Sequence, residues 1–581
     1  MLSRIIVAGG GASGLMAALT AKQQGAEGVL ILERGGEIGK KILSTGSGRC
    51  NLTNENQSPE CYHSSLKDSF RPVLSQFSKE DTVRFFEENG LYLKAKNGYY
   101  YPRNAQALSV RDFLRDCCRK AGVRVELNKK ITGVTELAGN RRNRDIGETT
   151  DVAGNRRSKD IGVTAEIENR EKGNGESSET VLSAGSKTGI TGFQVSCEDG
   201  SVYECDRLIL AGGGKAAPQT GSDGSMFAVA CKLGHTVTLP VPALTPLCVK
   251  KEELKFFKTA AGARADARIT LIFENHEKNR DKTAGEDSFS EDESGSHSIF
   301  HDVEDKNPLE KISQIRYSDC GEIQFVDYGL SGIPAFNVSG AAARALAAGQ
   351  SAGRGGRITA GNSEQINFAG KHVRPEAPGK QTLTDSAGKR VRPEAPGKQT
   401  LTDSAGKRVR SEIPGKQTLT DSVGNRVWAE VDFLPEISPE LLKNQFDSYR
   451  ERFPEDTFRM WLRGYLPAKL AEAVLSLVKL PPALYLRKCS GEEAERLLKA
   501  LKGSRFELSG TGSFEKAQTT SGGIDMRQVN LATLESKLMP GLYFSGEILD
   551  VDGICGGYNL QWAWSSGFVA GRAAAADAAG K

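Results

Sequence analysis

The sequence predicts an α/β protein built on a parallel sheet, and three observations near its start carry this prediction. Apolar residues at 5–8 run directly into glycines at 9, 11 and 14. An Ala- and Leu-rich helical pattern covers 15–24, and a second apolar run at 29–32 ends at Glu33. Strand, glycine-rich turn, helix, strand and acid, in this order, are typical of a Rossmann-like unit.

The glycine-rich turn predicts dinucleotide binding. Gly9 permits the tight turn, Gly11 lets the backbone approach a pyrophosphate, and Gly14 lets the helix pack closely on the strand. The helix N-terminus offers free N–H groups to the phosphates. Glu33 lies about 20 residues after the last glycine, where a carboxylate can accept hydrogen bonds from ribose hydroxyls. The alternative is a purely structural turn, which the flanking strands and the acid disfavour.

Composition sets broad limits on the protein class. The chain has 581 residues, 26% of them charged and 38% hydrophobic, which suits two or three globular domains. A net charge of +4 over this length does not by itself indicate a polyanionic partner. The 11 cysteines contain no CxxC pair, so no disulfide framework or metal site is predicted. No signal peptide or membrane span is expected, and we interpret the protein as cytoplasmic.

The first part of the chain continues the α/β pattern. Residues 37–54 are predicted to form a polar loop, and Lys40, Lys41 and Arg49 in it could face phosphate or a flavin carbonyl rather than solvent alone. The remaining predicted elements are helices at 79–90 and 105–121, a strand at 123–127, strands at 193–195 and 202–203, and a buried strand at 207–210 that enters the glycines at 212–214.

Prolines at 240, 242 and 246 indicate a change of domain. After it, the predicted elements are strands at 268–273 and 322–326, an Ala-rich helix after the turn at 329–335, and helices at 439–453, 458–462, 467–478 and 491–502. Strand and turn patterns return at 513–523 and 541–547, and a last helix begins at Gly556-Gly557.

Three polar stretches interrupt the pattern. Residues 138–190 contain a 15-residue repeat, 274–310 are charged and acidic, and 369–430 contain an 18-residue repeat. These stretches have too little apolar area to offset chain entropy, so we expect expanded loops or loose hairpins. A basic arm for RNA is the alternative interpretation of the 18-residue repeats.

Several strings together resemble the BaiN/RdsA-like family of bacterial FAD-dependent oxidoreductases. They are Gly9–Gly14, the RCNLTN string within 39–54, Gly329–Gly332, Ala517–Gly523 and the GEILDVDGICGGYNLQ string within 541–561. The resemblance covers nearly all of the chain outside the three polar stretches and 350–430. It implies a Rossmann-like FAD-binding domain of the glutathione-reductase-like superfold, with an inserted small β-barrel and a helical piece.

The implied domains are an FAD-binding part at 1–214, an inserted barrel and helical domain at 215–520 with its helical piece at 437–502, and a C-terminal FAD-binding part at 521–581. By similarity, Gly9, Gly11, Ser13, Gly14 and Glu33 would hold the ADP half. Arg49, Cys50 and Asn51 would lie near the isoalloxazine, and Gly546, Glu547 and Asp550 near the ribityl and phosphate groups. Gly557, Tyr558, Asn559 and Gln561 would meet the flavin's pyrimidine edge. We count Arg34, Lys41, Gly48, Ala211, Gly212 and Gly213 with the cofactor-binding residues.

The catalytic candidates are Cys50 and Cys555, either of which could donate a proton to a substrate carbanion. The simpler interpretation is that both are buried packing thiols. His63 and His235 are expected to be structural. No second GxGxxG has strand context, so we expect NAD(P)H to bind transiently at the flavin face.

The predicted function is NAD(P)H-driven reduction of an electron-poor C=C bond by an FAD enzyme. The basic loop and repeats favour uridine in large-subunit ribosomal RNA as substrate. The alternatives are a small enoyl or steroid-like substrate, an aminoketone oxidase, and a non-catalytic flavoprotein scaffold. The sequence leaves the oligomeric state open.

Overall fold

A computed structural model describes residues 4–138, 190–274, 317–352 and 426–580 of the chain. Most of the three predicted polar insertions therefore lies outside the described residues. Their edges are an exception: residue 138 ends a strand, 190 begins one, 274 ends one and 426–430 belong to one. The predicted insertion at 369–430 is thus wrong at its C-terminal end, because alternate residues there pack into a barrel core.

The strands are numbered in chain order. They are β1 (Arg4–Ala8), β2 (Gly28–Leu32), β3 (Thr53–Asn54), β4 (Tyr62–His63), β5 (Leu93–Lys96), β6 (Tyr99–Pro102), β7 (Arg124–Glu126), β8 (Ile131–Ala138), β9 (Ile190–Cys197), β10 (Val202–Cys205), β11 (Arg207–Leu210), β12 (Val241–Ala243), β13 (Leu247–Val249), β14 (Arg264–Glu274), β15 (Ser318–Val326), β16 (Gly329–Ser331), β17 (Arg426–Asp432), β18 (Ser504–Thr511), β19 (Thr519–Ser521), β20 (Leu542–Phe544) and β21 (Asp552–Gly553).

The α-helices are numbered in the same way. They are α1 (Ala12–Gln23), α2 (Arg71–Leu74), α3 (Lys79–Glu88), α4 (Ala107–Lys120), α5 (Ser225–Lys232), α6 (Leu254–Ala260), α7 (Ile333–Ala352), α8 (Pro439–Arg452), α9 (Phe458–Leu462), α10 (Ala468–Leu477), α11 (Gly491–Gly503) and α12 (Tyr558–Ala578). Within the described residues, no helix has the length and apolarity that a membrane crossing needs.

The central sheet is parallel and draws on both ends of the chain. Its strand order is β20-β11-β1-β2-β7. Ile5–Ala8 pair with β11 on one side, and Arg4–Ala8 pair with β2 on the other. The C-terminal strand β20 pairs with β11, so residues more than 330 positions apart lie side by side. Both faces of β1 are covered, which explains its uninterrupted apolar run.

Helices α1 and α12 cross closely because glycines on α12 leave room for the backbone of α1. A Cβ on Gly567 would lie 2.5 Å from the Ser13 carbonyl oxygen, and a Cβ on Gly571 would lie 2.2 Å from that of Ala17. The last helix of the chain therefore packs directly on the helix that follows the first glycine-rich turn.

The second major element is a closed barrel with strand order β13-β16-β15-β14-β17-β18. Strand β14 begins at Arg264, four residues before the predicted start. Its charged residues at 264, 266 and 268 are exposed, while Ala267, Ile269 and Leu271 are buried. The strand is therefore buried on one face only, and its first residues alternate between charged and apolar instead of forming a continuous apolar run. Helices α8–α11 come between β17 and β18 in the chain and share the core of the barrel.

Two hydrophobic cores support these layers. One contains the parallel sheet with α1, α4 and α12, and the other fills the barrel and the helical piece. Met226 and Phe227 of α5 belong to the first core, although the predicted boundary after residue 214 assigns them to the inserted domain. The domain boundaries themselves stay predictions.

Candidate functional site

The glycine-rich turn after β1 has the geometry that its sequence predicts, and the three glycines act differently. A Cβ on Gly9, whose φ is +114°, would lie 2.6 Å from the Ala211 carbonyl oxygen, and a Cβ on Gly14 would lie 2.0 Å from the Gly9 carbonyl oxygen. A Cβ on Gly11 would meet nothing within 4 Å. Protein packing explains Gly9 and Gly14, whereas Gly11 borders open space that a ligand can fill.

Glu33 closes the other side of this turn. Its carboxylate accepts hydrogen bonds from the Gly10 N–H at 2.8 Å and the Gly35 N–H at 2.7 Å. These bonds hold the acid at the C-terminal end of β2, next to the turn. Each carboxylate oxygen keeps a second lone pair, which a ribose hydroxyl can use.

A cleft brings the predicted ADP-binding residues together. It encloses about 1240 Å³, part of it open to solvent. The predicted residues that line it are Gly9, Gly11, Ser13, Glu33, Arg34, Lys41, Ala211, Gly212, Gly213, Glu547 and Asn559. Sequence reasoning did not assign other lining residues to the cofactor site. Gln518 and Thr519 belong to the Ala517–Gly523 string, to which no role was given, whereas Met226 and Trp562 lie outside the quoted strings.

The basic residues beside the cleft are largely neutralised. Lys41 Nζ donates to Glu547 Oε2 at 2.7 Å and to the Ala216 carbonyl at 3.2 Å. Glu547 Oε1 also accepts from the Thr520 N–H at 2.8 Å. Arg34 forms an ion pair with Asp223. Lys41 and Glu547 thus join the polar N-terminal loop to the C-terminal part of the site.

That N-terminal loop contains more helix than predicted. Residues Lys40–Gly48 form 3-10 turns that are interrupted at Thr45–Ser47. A Cβ on Gly48 would meet nothing within 4 Å, and Arg49 is exposed. The Asn51 side-chain oxygen is buried without a hydrogen-bond partner among the described residues. Gly48, Arg49 and Asn51 do not line the cleft, so the isoalloxazine contact of Arg49 and Asn51 and the cofactor contact of Gly48 stay predictions.

The C-terminal string forms the third side of the site. The Asn559 side chain accepts from the Gly553 N–H at 2.9 Å and donates to its carbonyl at 2.8 Å, which ties the start of α12 to β21. Gly557 has a φ of +96°, and a Cβ there would lie 2.8 Å from the Thr53 backbone. A Cβ on Gly546 would lie 2.3 Å from Ser13 Oγ, so these glycines allow the two ends of the chain to touch.

Gln561 has partners within the protein for its whole amide. It accepts from the Thr53 and Thr82 hydroxyls at 2.7 and 3.0 Å and donates to the Phe77 carbonyl and the Ser565 hydroxyl. Its side chain is buried and does not line the cleft, and the same is true of Tyr558. Their predicted contact with a cofactor stays a prediction.

The two cysteine candidates differ in access. Cys50 is fully buried and has a φ of +57°, and burial raises the pKa of its thiol to about 12. Cys555 is half-buried, and burial raises the pKa of its thiol to about 12 as well. Its N–H donates to Asn337 Oδ1 of α7 at 2.8 Å. Both thiols are protonated near neutral pH, which suits packing and leaves a proton-donor role as a prediction.

A second cavity adjoins the cleft and was not predicted. It encloses about 1110 Å³, part of it open to solvent. Asp550, which was predicted to meet the cofactor, lines this cavity instead, together with Asp552 and Arg344. His63 also lines it, with Nδ1 3.9 Å from Asp552 Oδ2, because β4 pairs with β21. Sequence reasoning treated His63 as an isolated residue because its neighbours are hundreds of positions away.

The cleft fits the ADP half of FAD on its own geometry. The open space at Gly11, the acid at the end of β2 and the helix α1 that starts at the turn match what a pyrophosphate and an adenosine ribose require. The residues that would hold the cofactor come from the first and the last elements of the chain. Fold and site together define a Rossmann-type dinucleotide-binding protein.

The comparisons agree with this class and identify the protein as an FAD-dependent oxidoreductase. The family profile described as "HI0933-like protein Rossmann domain" matches residues 3–157 and 154–573. The chain belongs to this family, as the resemblance to BaiN/RdsA-like oxidoreductases implied. It is 30% identical to the 3-dehydro-bile acid delta(4,6)-reductase of Clostridium scindens. The alignment spans 575 residues and covers 99% of this chain and 99% of that protein.

Two further relatives carry another activity in their names. The chain is 21% identical over 564 residues to the ribosomal RNA dihydrouridine synthase of Escherichia coli, covering 97% of this chain and 96% of that protein. It is 20% identical over 567 residues to the Haemophilus influenzae protein of the same name, covering 98% and 97%.

Proposed function

We propose that the protein uses NAD(P)H to reduce a C=C bond that is conjugated to a carbonyl group. The full-length similarity to proteins named as a delta(4,6)-reductase and as dihydrouridine synthases carries this proposal. A 3-oxo-4-ene and the C5=C6 bond of uridine share this conjugation, which makes the distal carbon a hydride acceptor. The proposed reaction, reduction of a conjugated C=C bond, is therefore the same for both candidate substrates.

Bound FAD would take up a hydride equivalent from the nicotinamide donor and pass it to the substrate. The chain's own contribution is to hold that cofactor. Glu33 accepts hydrogen bonds from the adenosine ribose, Gly11 leaves room for the pyrophosphate, and the N-terminus of α1 provides favourable partial charge. The N-terminus of α12, which Asn559 ties to β21, would stabilise negative charge at the pyrimidine edge.

A small carbonyl compound is our first choice of substrate. The relative at 30% identity is named for a bile-acid substrate, whereas those named for ribosomal RNA are 21% and 20% identical. The basic loop is also a weaker argument for RNA than its sequence indicates, because Lys41 pairs with Glu547. The 18-residue repeats lie almost wholly outside the described residues.

Uridine in ribosomal RNA stays the second candidate. Two relatives over nearly their full length carry that name, and Lys40 and Arg49 are exposed beside the site. Such cations can contact phosphates.

Anaerobic mixing tests the proposal. The purified holoprotein is mixed with NADH and, separately, with NADPH, and the yellow flavin absorbance is followed. Bleaching by either donor, followed by recovery of the colour when a 3-oxo-4-ene steroid is added, supports the proposal. A flavin that stays oxidised with both donors would favour the non-catalytic scaffold.

The two substrates are separated in a second experiment. Ribosomal RNA from cells with and without the gene is digested to nucleosides, and dihydrouridine is quantified by mass spectrometry. An unchanged level removes the RNA candidate. Reoxidation by unmodified ribosomal RNA but not by the steroid would reverse our order of preference.

A further inference from the structure

The cofactor cleft and the second cavity share a wall. Val551 lines the cleft, whereas its neighbours Asp550 and Asp552 line the cavity. Strand β19 is divided similarly, with Thr519 at the cleft and Ser521 at the cavity. The cavity is therefore an immediate neighbour of the cofactor cleft.

Arg344 is the cation that this wall holds in place. It lies on α7, two turns after Asn337, and both side chains reach the C-terminal string. The guanidinium donates to Ser521 Oγ and lies 3.8 Å from Asp552 Oδ1. Ser521 Oγ in turn donates to Asp552 Oδ1 at 2.7 Å, which fixes the acceptor that orients the guanidinium.

Much of the hydrogen-bonding capacity of Arg344 is available to a ligand. A guanidinium has five N–H donors, and the described part of the chain gives Arg344 a hydrogen bond to Ser521 only. Its side chain is 34% exposed and lines the cavity. By contrast, Arg71 lines the same cavity but pairs with Asp68 at 2.8 Å.

The charges around Arg344 indicate what kind of oxygen it binds. The cavity is lined by four acids, Glu60, Asp68, Asp550 and Asp552, and three cations, Lys67, Arg71 and Arg344. Asp550 and Asp552 are only 3% and 5% exposed. The two buried acids offset part of the charge of Arg344, so a ligand that is already an anion before the reaction is disfavoured. A neutral carbonyl oxygen can accept from Arg344 without this penalty.

We propose that Arg344 binds the carbonyl oxygen of the conjugated substrate and stabilises the negative charge that develops there. This inference rests on the function proposed above and names the subsite that recognises the substrate. The class of ligand is a neutral conjugated carbonyl compound, whether a small oxo compound or the uracil ring.

The electron balance follows from the conjugation. As a hydride adds to the distal carbon, the π electrons move to the carbonyl oxygen and form an enolate. Arg344 donates to that oxygen, and a proton from water then adds to the carbon beside the carbonyl. NAD(P)H supplies the hydride and is oxidised. Because the oxygen carries full charge only as hydride arrives, the guanidinium favours the transition state over the ground state.

The first test compares Arg344→Met with Arg71→Met in the holoprotein. Both substitutions remove one cation from the same cavity. We expect reoxidation of the NADH-reduced protein by a 3-oxo-4-ene steroid to slow about 100-fold or more in R344M and to change little in R71M. Reduction by NADH should change by less than about twofold in both, because it does not use the carbonyl subsite.

Arg344→Lys is a conservative control in case R344M does not fold. It keeps the charge but loses the planar fork, so we expect an intermediate rate. FAD content and thermal unfolding are measured for all three variants. R344M and R344K that both fold, retain FAD and reoxidise at the wild-type rate would overturn the inference.

The second test does not depend on turnover. The phenolate oxygen of ionised 4-nitrophenol resembles the oxygen of an enolate, and the ionised form is measured by its visible absorbance. Titrated into the oxidised holoprotein, it should bind with a larger ionised fraction in wild type and R71M than in R344M. Equal ionisation in all three contradicts the carbonyl subsite, whereas the expected difference without any substrate reduction would leave the subsite standing and remove the proposed function.

Discussion

In the first glycine-rich turn, one glycine is needed for folding and another for cofactor binding. Gly14 lacks a side chain because the Gly9 carbonyl leaves no room for one. Gly11 has a φ of −79°, which any residue adopts, and no protein atom near its missing Cβ. The two positions are therefore glycine for different reasons, although they belong to the same motif.

Gly11→Ala and Gly14→Ala should fail in different assays. We expect G11A to unfold as apoprotein at the wild-type temperature but to bind FAD about tenfold more weakly or worse, a loss of at least about 1.4 kcal/mol. G14A should lower the unfolding temperature of the apoprotein itself. Differential scanning calorimetry and FAD titration measure the two effects, and a destabilised G11A apoprotein would contradict this division.

The thiols of Cys50 and Cys555 also allow a test at the residue scale. Because burial raises the pKa of both thiols to about 12, roughly one molecule in 10⁴ carries either thiolate at pH 8. The thiolate is the form that iodoacetamide attacks. In the native holoprotein at pH 8, we expect exposed Cys320 to be alkylated well before Cys50 and Cys555. Peptide mass spectrometry over time checks the order, and labelling of Cys50 at the rate of Cys320 would contradict its burial.

At the scale of elements, an ion cluster joins three parts of the barrel. Glu507 on β18 accepts two hydrogen bonds from Arg426, at 2.9 and 2.8 Å, and forms an ion pair with Lys250 at 2.6 Å. The Arg426 guanidinium and then Lys250 lower the pKa of the Glu507 carboxyl to about 2. Arg426 is the residue at which the chain re-enters the barrel as β17.

This cluster makes barrel stability depend on pH. The lowered pKa stabilises the fold fully above the unfolded value of about 4.3, and the contribution is lost as pH falls to about 2. Glu507→Gln should lower the free energy of unfolding by about 2 kcal/mol at pH 7 and by little near pH 2. Urea unfolding across this range measures the difference. Glu322→Gln, which breaks an exposed pair with Arg264, is the matched control and should cost less than about 1 kcal/mol.

The crossing of α1 and α12 couples packing to the cofactor site. Gly571→Val places methyl groups against the Ala17 carbonyl and should push the helices apart, costing about 1–3 kcal/mol or more. Since Ser13 at the start of α1 lines the cleft, FAD retention should fall as well. Ala576→Val, at an exposed position of the same helix, is the control for helix propensity. A G571V protein that retains FAD and unfolds like A576V would contradict the coupling.

At the scale of the whole molecule, the two ends of the chain form one site. β20 pairs with β11, α12 packs on α1, and Lys41 pairs with Glu547 across 506 residues of sequence. A ligand that contacts both ends binds only the folded chain, so it stabilises the fold in proportion to the logarithm of its concentration.

FAD should therefore raise the unfolding temperature of the apoprotein. Free FAD at one hundred times its dissociation constant should add about 2.7 kcal/mol to the free energy of unfolding. Riboflavin, which lacks the ADP half, should give a much smaller effect, because Gly11 and Glu33 have nothing to bind. Thermal unfolding at several concentrations of each compound measures this. A shift as large with riboflavin as with FAD would contradict the placement of the ADP half.

Most of the fold could be predicted from the sequence. The strands β1, β2 and β11, the helices α3, α4 and α8–α11 and the start of α12 agree with their predicted positions to within a few residues. Periodic apolar runs and glycine-rich turns are local signals, and they were sufficient here. The short β3, β4 and β21 were missed, because two-residue strands depend on their partners rather than on their own composition.

The sequence by itself determined the fold class, the order of elements and the ADP-binding turn, because each rests on residues that interact with near neighbours along the chain. Only the tertiary structure decided that Lys41 pairs with Glu547, that Asp550 lines a second cavity, and that Arg344, Ser521 and Asp552 meet there. These contacts join segments that are far apart in sequence. Their free energy comes from burial and charge pairing after the sheets close, which no local pattern encodes.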